Sequence, residues 1–359
     1  MADGSNARAP EPIKLTFRPG VNRETTNYGN TGGWYDSNMV RWKTQTAQSI
    51  GGWQRYTTEM AEGTFRSLFP FSVLTGSTYY ATGTNLKYYL VQGNLLVDIT
   101  PIRSTGTINN NPFAITSGSA VCTVTDTSHG AVENDFVVFT GAVTIGASNV
   151  TAAVLNQEYQ ITDIVDANSY KITLTVTSDT TSAGGGGGSV NAAYQINVGL
   201  DTSAEGNGWG TGTWGSGGWG LGSTTFVLTD RLRLWAEDNY GEDLIFNVRN
   251  GGIYYKDMSG TVSDRAVNIT TLGTDAGIPT IARQVLVSDT DRHVLAFGAD
   301  ELATATQDRQ LIRWSDSEDI TVWTPDTTNS AGELRLNVGS EILRAVETTT
   351  ETLVFTDVS

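Results

Sequence analysis

Two histidines, one cysteine and a few acidic turns are the residues of this 359-residue chain that could do chemistry. His129 stands in Ser128-His-Gly130, a turn, and His293 at the strand start Asp291-Arg-His-Val-Leu-Ala-Phe297. Two isolated histidines in different segments make no recognisable metal-ligand spacing, and both are expected to be structural. Cys122 lies in Ala120-Val-Cys-Thr-Val124, a strand pattern. A single cysteine allows no intrachain disulfide, which fits a reducing compartment, and it reads as a small core residue. The carboxylates of Asp238-Asn-Tyr-Gly-Glu-Asp243 invite a calcium reading. They lack the alternate ligands and terminal glutamate of an EF-hand loop, so an acidic β-turn is expected. No Gly-x-Ser-x-Gly elbow occurs, and Gly184–Gly188 lacks the Lys-Ser/Thr end of a phosphate loop. The expectation is a chain with no catalytic residue, no metal, no cofactor and no enzymatic activity.

The least ordinary feature is Gly206-Asn-Gly-Trp-Gly-Thr-Gly-Thr-Trp-Gly-Ser-Gly-Gly-Trp-Gly-Leu-Gly222. Trp209, Trp214 and Trp219 recur at five-residue spacing, each followed by glycine. They read either as a low-complexity loop whose indoles tuck into nearby cores, or as a contact loop. In the second reading they anchor a neighbouring subunit, a pore or a membrane surface. The turn Ser315-Asp-Ser-Glu-Asp-Ile-Thr-Val-Trp323 partly matches the Asp-box of sialidase-type propellers. It lacks the glycine after the aspartate, and such a box is a folding device in any case.

The elements that must position these residues are short strands. A unit of apolar residues rising to an aromatic and breaking at an aspartate recurs at Leu232-Arg-Leu-Trp235-Ala-Glu-Asp238, Leu311-Ile-Arg-Trp314-Ser-Asp316 and Thr352-Leu-Val-Phe355-Thr-Asp357. No stretch shows apolar residues at i, i+3, i+4 and i+7. Gly is 40 of 359 residues, which suits tight turns between strands. The expected fold is all-β: a propeller-like body of short antiparallel strands with an inserted small β-barrel or sandwich.

Five segments follow. Residues 1–12 read as a flexible arm, and 13–101 as the first part of the body. Residues 102–199 lose tryptophan and read as the inserted β domain, with strands at Ala120–Thr125, Phe136–Thr140, Tyr159–Val165, Tyr170–Val176 and Val190–Val198. Gly184–Gly188 reads there as a flexible hairpin tip or exit linker. Residues 200–222 form the Gly/Trp-rich loop and 223–359 the second part of the body. The polar N-terminus has no signal-peptide pattern, and no run of 18 apolar residues marks a membrane span. A net charge of −16, from 38 acidic and 22 basic residues, is wrong for a tight grip on nucleic acid. It suits either a dispersed soluble protein or a wall past which DNA slides.

Several segments together resemble bacteriophage tail structural proteins. They are Pro19-Gly-Val-Asn-Arg-Glu24, Trp34-Tyr-Asp-Ser-Asn-Met-Val-Arg41, Ile50-Gly-Gly-Trp53 and Asp98-Ile-Thr-Pro101. Leu234-Trp-Ala-Glu-Asp-Asn-Tyr-Gly-Glu-Asp-Leu244, Arg309-Gln-Leu-Ile-Arg-Trp-Ser-Asp316 and Trp323-Thr-Pro325 continue the series. The resemblance, over about 13–101 and 223–359, is to the nozzle or hub at the end of short tails. Ser128-His-Gly130 and Leu155-Asn-Gln-Glu-Tyr-Gln160 in the insert are similar to small β-barrel modules of tail proteins. The resemblance implies a virion structural protein assembled in the host bacterial cytoplasm; from their spacing, Trp209, Trp214 and Trp219 are expected to pack at a subunit contact or narrow the channel. It further implies a homohexameric ring, adjacent tail and adaptor proteins as partners, and passing DNA in an acidic ejection channel. The pattern runs beyond Ser359, and the last strand reads as one to be closed by further chain or a partner. Two rivals stand beside it. A receptor-binding tail adhesin would bind host surfaces, and a carbohydrate-active propeller would need arginines and carboxylates converging in one pocket.

Overall fold

Alternating side chains decide how the strands of this chain stack. The computed structural model describes residues 18–44, 46–52, 54–201, 232–348 and 351–358. Residues 1–12 and Trp209, Trp214 and Trp219 lie outside that set. The fold is all-β, with 43% of the chain in strands and 2% in helix, far from the roughly one-third helix of ordinary globular domains. The chain divides into two compact units, 1–56 and 57–359, so the stretch from 13 to 101 is shared between them.

In the first unit, strand Val40–Lys43 pairs antiparallel with Thr46–Ser49. Trp34 meets Trp42 edge-on with ring centroids 5.3 Å apart, and Arg23 pairs with Asp36 at 2.8 Å.

The second unit carries a series of antiparallel meanders in which consecutive strands are neighbours. The first sheet contains Phe69–Ser72, Thr78–Gly83, Tyr88–Gln92 and Leu95–Asp98. The second contains Trp235–Tyr240, Asp243–Val248, Ile253–Lys256 and Val267–Asn268. The third contains Gln284–Val287, Val294–Phe297, Leu311–Trp314 and Gly332–Arg335. A two-stranded sheet, Ile342–Glu347 with Thr352–Thr356, ends the series.

Successive strand residues point to opposite faces, so a sheet between two others must be apolar on both. Leu244 and Phe246 enter the core shared with Phe71, Tyr79 and Leu90 of the first sheet. Ile245 between them enters the core shared with Val285, Val287 and Val294 of the third. Phe297 and Ile312 then pack with Ile342 and Ala345 of the last sheet. On the other face of that sheet Val346 is paired with Leu353 and Arg344 with Phe355. Val346, Leu353 and Phe355 are 41%, 43% and 50% exposed. That apolar face has no further sheet on it among the described residues.

The recurring unit behaves as expected at Leu311–Trp314, where a turn follows the aromatic, while at Thr352–Thr356 the strand runs one residue past Phe355 and bends at Asp357. At Trp235 it does not: the aromatic opens the strand, and Asp238 lies inside it opposite Ile245. The reason is packing. Trp235 rests on Tyr88, with centroids 4.8 Å apart, and its indole nitrogen donates to the Thr84 carbonyl at 2.9 Å.

Between the first and second sheets the chain forms an eight-stranded antiparallel sheet from Ile102–Asn109 to Ser189–Gln195. It curls around one apolar core that includes Phe113, Phe139, Leu155, Ile161 and Tyr170. Gly184–Gly188 is no loose tip or linker. Ser182–Gly185 is a strand paired with Phe113–Ile115, and a Cβ on Gly185 or Gly186 would fall 2.4 Å from Ile145 or 2.3 Å from Phe113. Glycine is needed there because the backbone lies directly on core side chains. Entry and exit meet: Ile196 N donates to Pro101 O at 3.0 Å.

Candidate functional site

Five arginines from distant parts of the chain line one cleft of about 1270 Å³, where the curled sheet adjoins the second and third meanders. Arg103 comes from the first strand of the curled sheet, and Arg233 from just before Trp235–Tyr240. Arg249 sits in the turn after Asp243–Val248. Arg265 precedes Val267–Asn268, and Arg309 precedes Leu311–Trp314. Glu133 is the carboxylate of the lining. In a chain with a net charge of −16 this is a local inversion of charge.

The arginines differ in what holds them. Arg265 is neutralised, lying 3.3 Å from Asp98 and 3.2 Å from Glu158. Arg309 has a long contact of 3.5 Å to Glu341. Arg103 donates to the His129 carbonyl at 3.2 Å and lies 5.7 Å over the Tyr194 ring. Arg233 donates to the Asn197 carbonyl and lies 5.4 Å over the Trp235 ring. Burial lowers the Arg233 pKa to about 10, opposed by Tyr254 and Asp135. A carbonyl or a ring orients a guanidinium without cancelling its charge; the carboxylate that Arg103 and Arg233 do feel is the buried Asp135.

One buried carboxylate organises the wall. Asp135 is fully buried and accepts from Val132 N at 2.9 Å, Val198 N at 2.7 Å and Asn197 Nδ2 at 2.9 Å. Burial raises its pKa, against the pull of those amides and of Arg103 and Arg233. It thereby ties the 132–135 turn to the segment that leaves the curled sheet after Gln195 and carries Asn197 and Val198.

Behind the cleft a charge cluster fixes the curled sheet to the first meander. Lys87, with its side chain 5% exposed, lies 2.8 Å from Glu62 and 3.4 Å from Asp98, and donates to Glu158. Burial works against its charge, but Asp98, Glu158 and Glu62 outweigh burial and hold its pKa above the ordinary lysine value. Its ammonium also sits 4.1 Å from the Phe136 ring centre.

The residues singled out in the sequence go elsewhere. His129 accepts from Ala131 N at Nδ1 and contacts the Asp166 carbonyl through Nε2, both at 3.1 Å. His293 Nδ1 lies 2.8 Å from the Ser315 carbonyl. Cys122 is buried, and burial pushes its thiol up to about 12. Asp238 accepts from Val287 N and Asn239 N at 2.8 and 2.9 Å. Asp243 accepts from Tyr255 and Met258 N instead, at 2.5 and 2.8 Å, so the two carboxylates serve separate turns and strands. Asp316 accepts from Ser317 N and from Ser330 N and Oγ, closing its turn as a folding device would.

Sequence reasoning missed the cleft because its arginines are spread over some two hundred positions without a motif. The signal that was there is that each stands at a strand end or in a turn, where several sheets bring their rims together.

No protein-family model matches the chain, and no curated protein matches it in sequence. Among solved structures it is similar to a chain titled Phage phi92 endosialidase, at 11% identity and a TM-score of 0.22. The alignment covers 78% of this chain and 38% of that one, so this chain spans well under half the length of the neighbour. The expectation of a chain without enzymatic activity is corrected here, because the aligned chain is an enzyme by title. A likeness this slight carries no argument about chemistry in this molecule.

Proposed function

We propose that this chain is a bacteriophage tail component that attaches to the host surface, with the arginine-lined cleft as the place where a surface ligand is held. The observation that carries the reading is the concentration of five arginines on one cleft of an acidic protein. Concave sites with a few converging polar groups are where ligands bind, and a positive cleft on a negative body selects for sign as well as shape. The all-β fold and the sequence resemblance to tail proteins support the virion setting. Labelled full-length chain should sediment with cells of a susceptible strain, and Arg103→Gln with Arg309→Gln should abolish that. Undiminished cell binding by the double variant would overturn the reading.

A second reading, the nozzle or hub ring around a DNA channel, is favoured by the uncovered face of Val346, Leu353 and Phe355. An exposed apolar sheet face fits a neighbouring copy. Under this reading Trp209, Trp214 and Trp219 serve at the subunit contact or in the channel. Mass measurement in solution and particle symmetry by electron microscopy test it. A monomer at all concentrations, with Val346→Lys unchanged in behaviour, would reject it.

A further inference from the structure

We infer that the ligand class of the cleft is an acidic saccharide, a chain of hydroxyl-rich units that carry carboxylate or phosphate groups; this rests on the receptor-binding reading above. The positive groups are arginines and not lysines, and a planar guanidinium takes a carboxylate or phosphate through two parallel hydrogen bonds. They come from separate elements, and with Arg265 already paired with Asp98 and Glu158 the anion positions fall to Arg103 and Arg309, on opposite walls of the cleft. A single small anion needs far less than about 1270 Å³, whereas typical ligand pockets of about 300–1,000 Å³ already hold a drug-sized molecule.

Between the arginines the lining is made of groups suited to hydroxyls. Asn134, Asn197, Asn250, Asn268 and Gln307 supply amides, which both donate and accept. Several are held in place. Gln307 donates to Asn250 Oδ1 at 3.2 Å and to the Gly298 carbonyl at 2.9 Å, and Asn268 accepts from Thr270 N at 3.0 Å. Tyr254 supplies an aromatic side chain. A polyanion made of nucleotides would want a run of stacking rings and a positive approach. The lining has one aromatic, and the surrounding chain is acidic.

The test uses the full chain and five polymers in calorimetric titration. They are polygalacturonate (sugar with carboxylate), phosphomannan (sugar with phosphate), dextran (neutral sugar), polyglutamate (carboxylate without sugar) and single-stranded DNA. The inference expects binding to polygalacturonate or phosphomannan, with whichever binds identifying the anionic group, and at least tenfold weaker binding to the other three. Arg103→Gln and Arg309→Gln should each weaken that binding about tenfold at unchanged melting temperature. Arg292→Gln, whose site is away from the cleft lining, should leave it unchanged. The inference is overturned if no saccharide binds, if polyglutamate or DNA binds as well as the acidic saccharide, or if the arginine variants bind normally. Cell sedimentation that still depends on Arg103 and Arg309 while every saccharide fails would sink the ligand class and leave the receptor reading standing.

Discussion

Replacing Glu237 by glutamine should make the protein more stable at pH 8 and leave it unchanged at pH 4. Glu237 lies in Trp235–Tyr240 between the first and second sheets. It accepts hydrogen bonds from Ser67 Oγ at 2.5 Å and Tyr88 OH at 2.9 Å. Tyr88 is itself fully buried and stacked on Phe246 at 3.8 Å. Burial pushes the Glu237 pKa up from 4.5 to about 7, against the pull of the two hydroxyls. Below pH 4.5 the carboxyl holds its proton in both the folded and the unfolded chain, so it adds no pH dependence. Between pH 4.5 and about 7 the unfolded chain releases the proton and the native state keeps it. Stability therefore falls as pH rises and levels off above about 7. At about 1.4 kcal/mol per pH unit, the loss at pH 8 comes to roughly 3 kcal/mol. Glutamine keeps an oxygen for Ser67 and Tyr88 and cannot ionise. Urea unfolding of both proteins from pH 4 to 8.5 gives the difference curve. A difference that is flat with pH, or a variant weaker at pH 8 than at pH 4 relative to wild type, would refute the reasoning.

Gly83→Ala should cost about 2–3 kcal/mol, the range for overpacking, because its Cβ would stand 2.3 Å from the Trp235 indole; a thermal melt with Trp235 fluorescence reads it, and an unchanged melt would contradict the contact. Lys87→Met keeps the apolar stem near Phe136 but leaves Asp98 and Glu158 with Arg265 alone, so a loss of about 2 kcal/mol, the scale of a charged hydrogen bond, is expected and denaturant midpoints measure it. Residues 102–199 expressed alone should be soluble and show a β-type circular dichroism spectrum, since their core is built from their own side chains; an aggregated fragment would count against an independent domain.

How much of this was legible in the sequence follows from the range of each interaction. The strand at Phe136–Thr140 was read to the residue, because its side chains alternate locally and turns flank it. The hairpin through Gln92-Gly93-Asn94 is of the same local kind, with glycine at φ 58° in the turn. Gly184–Gly188 was misread because nothing local distinguishes a glycine freed for flexibility from one pressed against Phe113. Trp235 was misplaced within its strand because its partner Tyr88 is 147 positions away. The cleft was the least legible part: Arg103 and Arg309 reach it only after the curled sheet and the third meander have been placed. The Trp209, Trp214 and Trp219 reading lies outside the described residues.

The hydrogen bond from Ile196 N to Pro101 O brings the two ends of the curled sheet together. Such neighbouring ends are the usual condition for inserting a domain into a loop or removing it. Residues 102–195 therefore occupy a socket. A two-residue turn could bridge 101 and 196, and Lys87 would still have Glu62 and Asp98 as counter-charges when Glu158 leaves with the insert. A different β module spliced at the same two positions would meet the same rim of Arg233, Arg249 and Arg309. One wall of the cleft thus belongs to the insert and the other to the body, so the insert could be exchanged while the body's wall is kept.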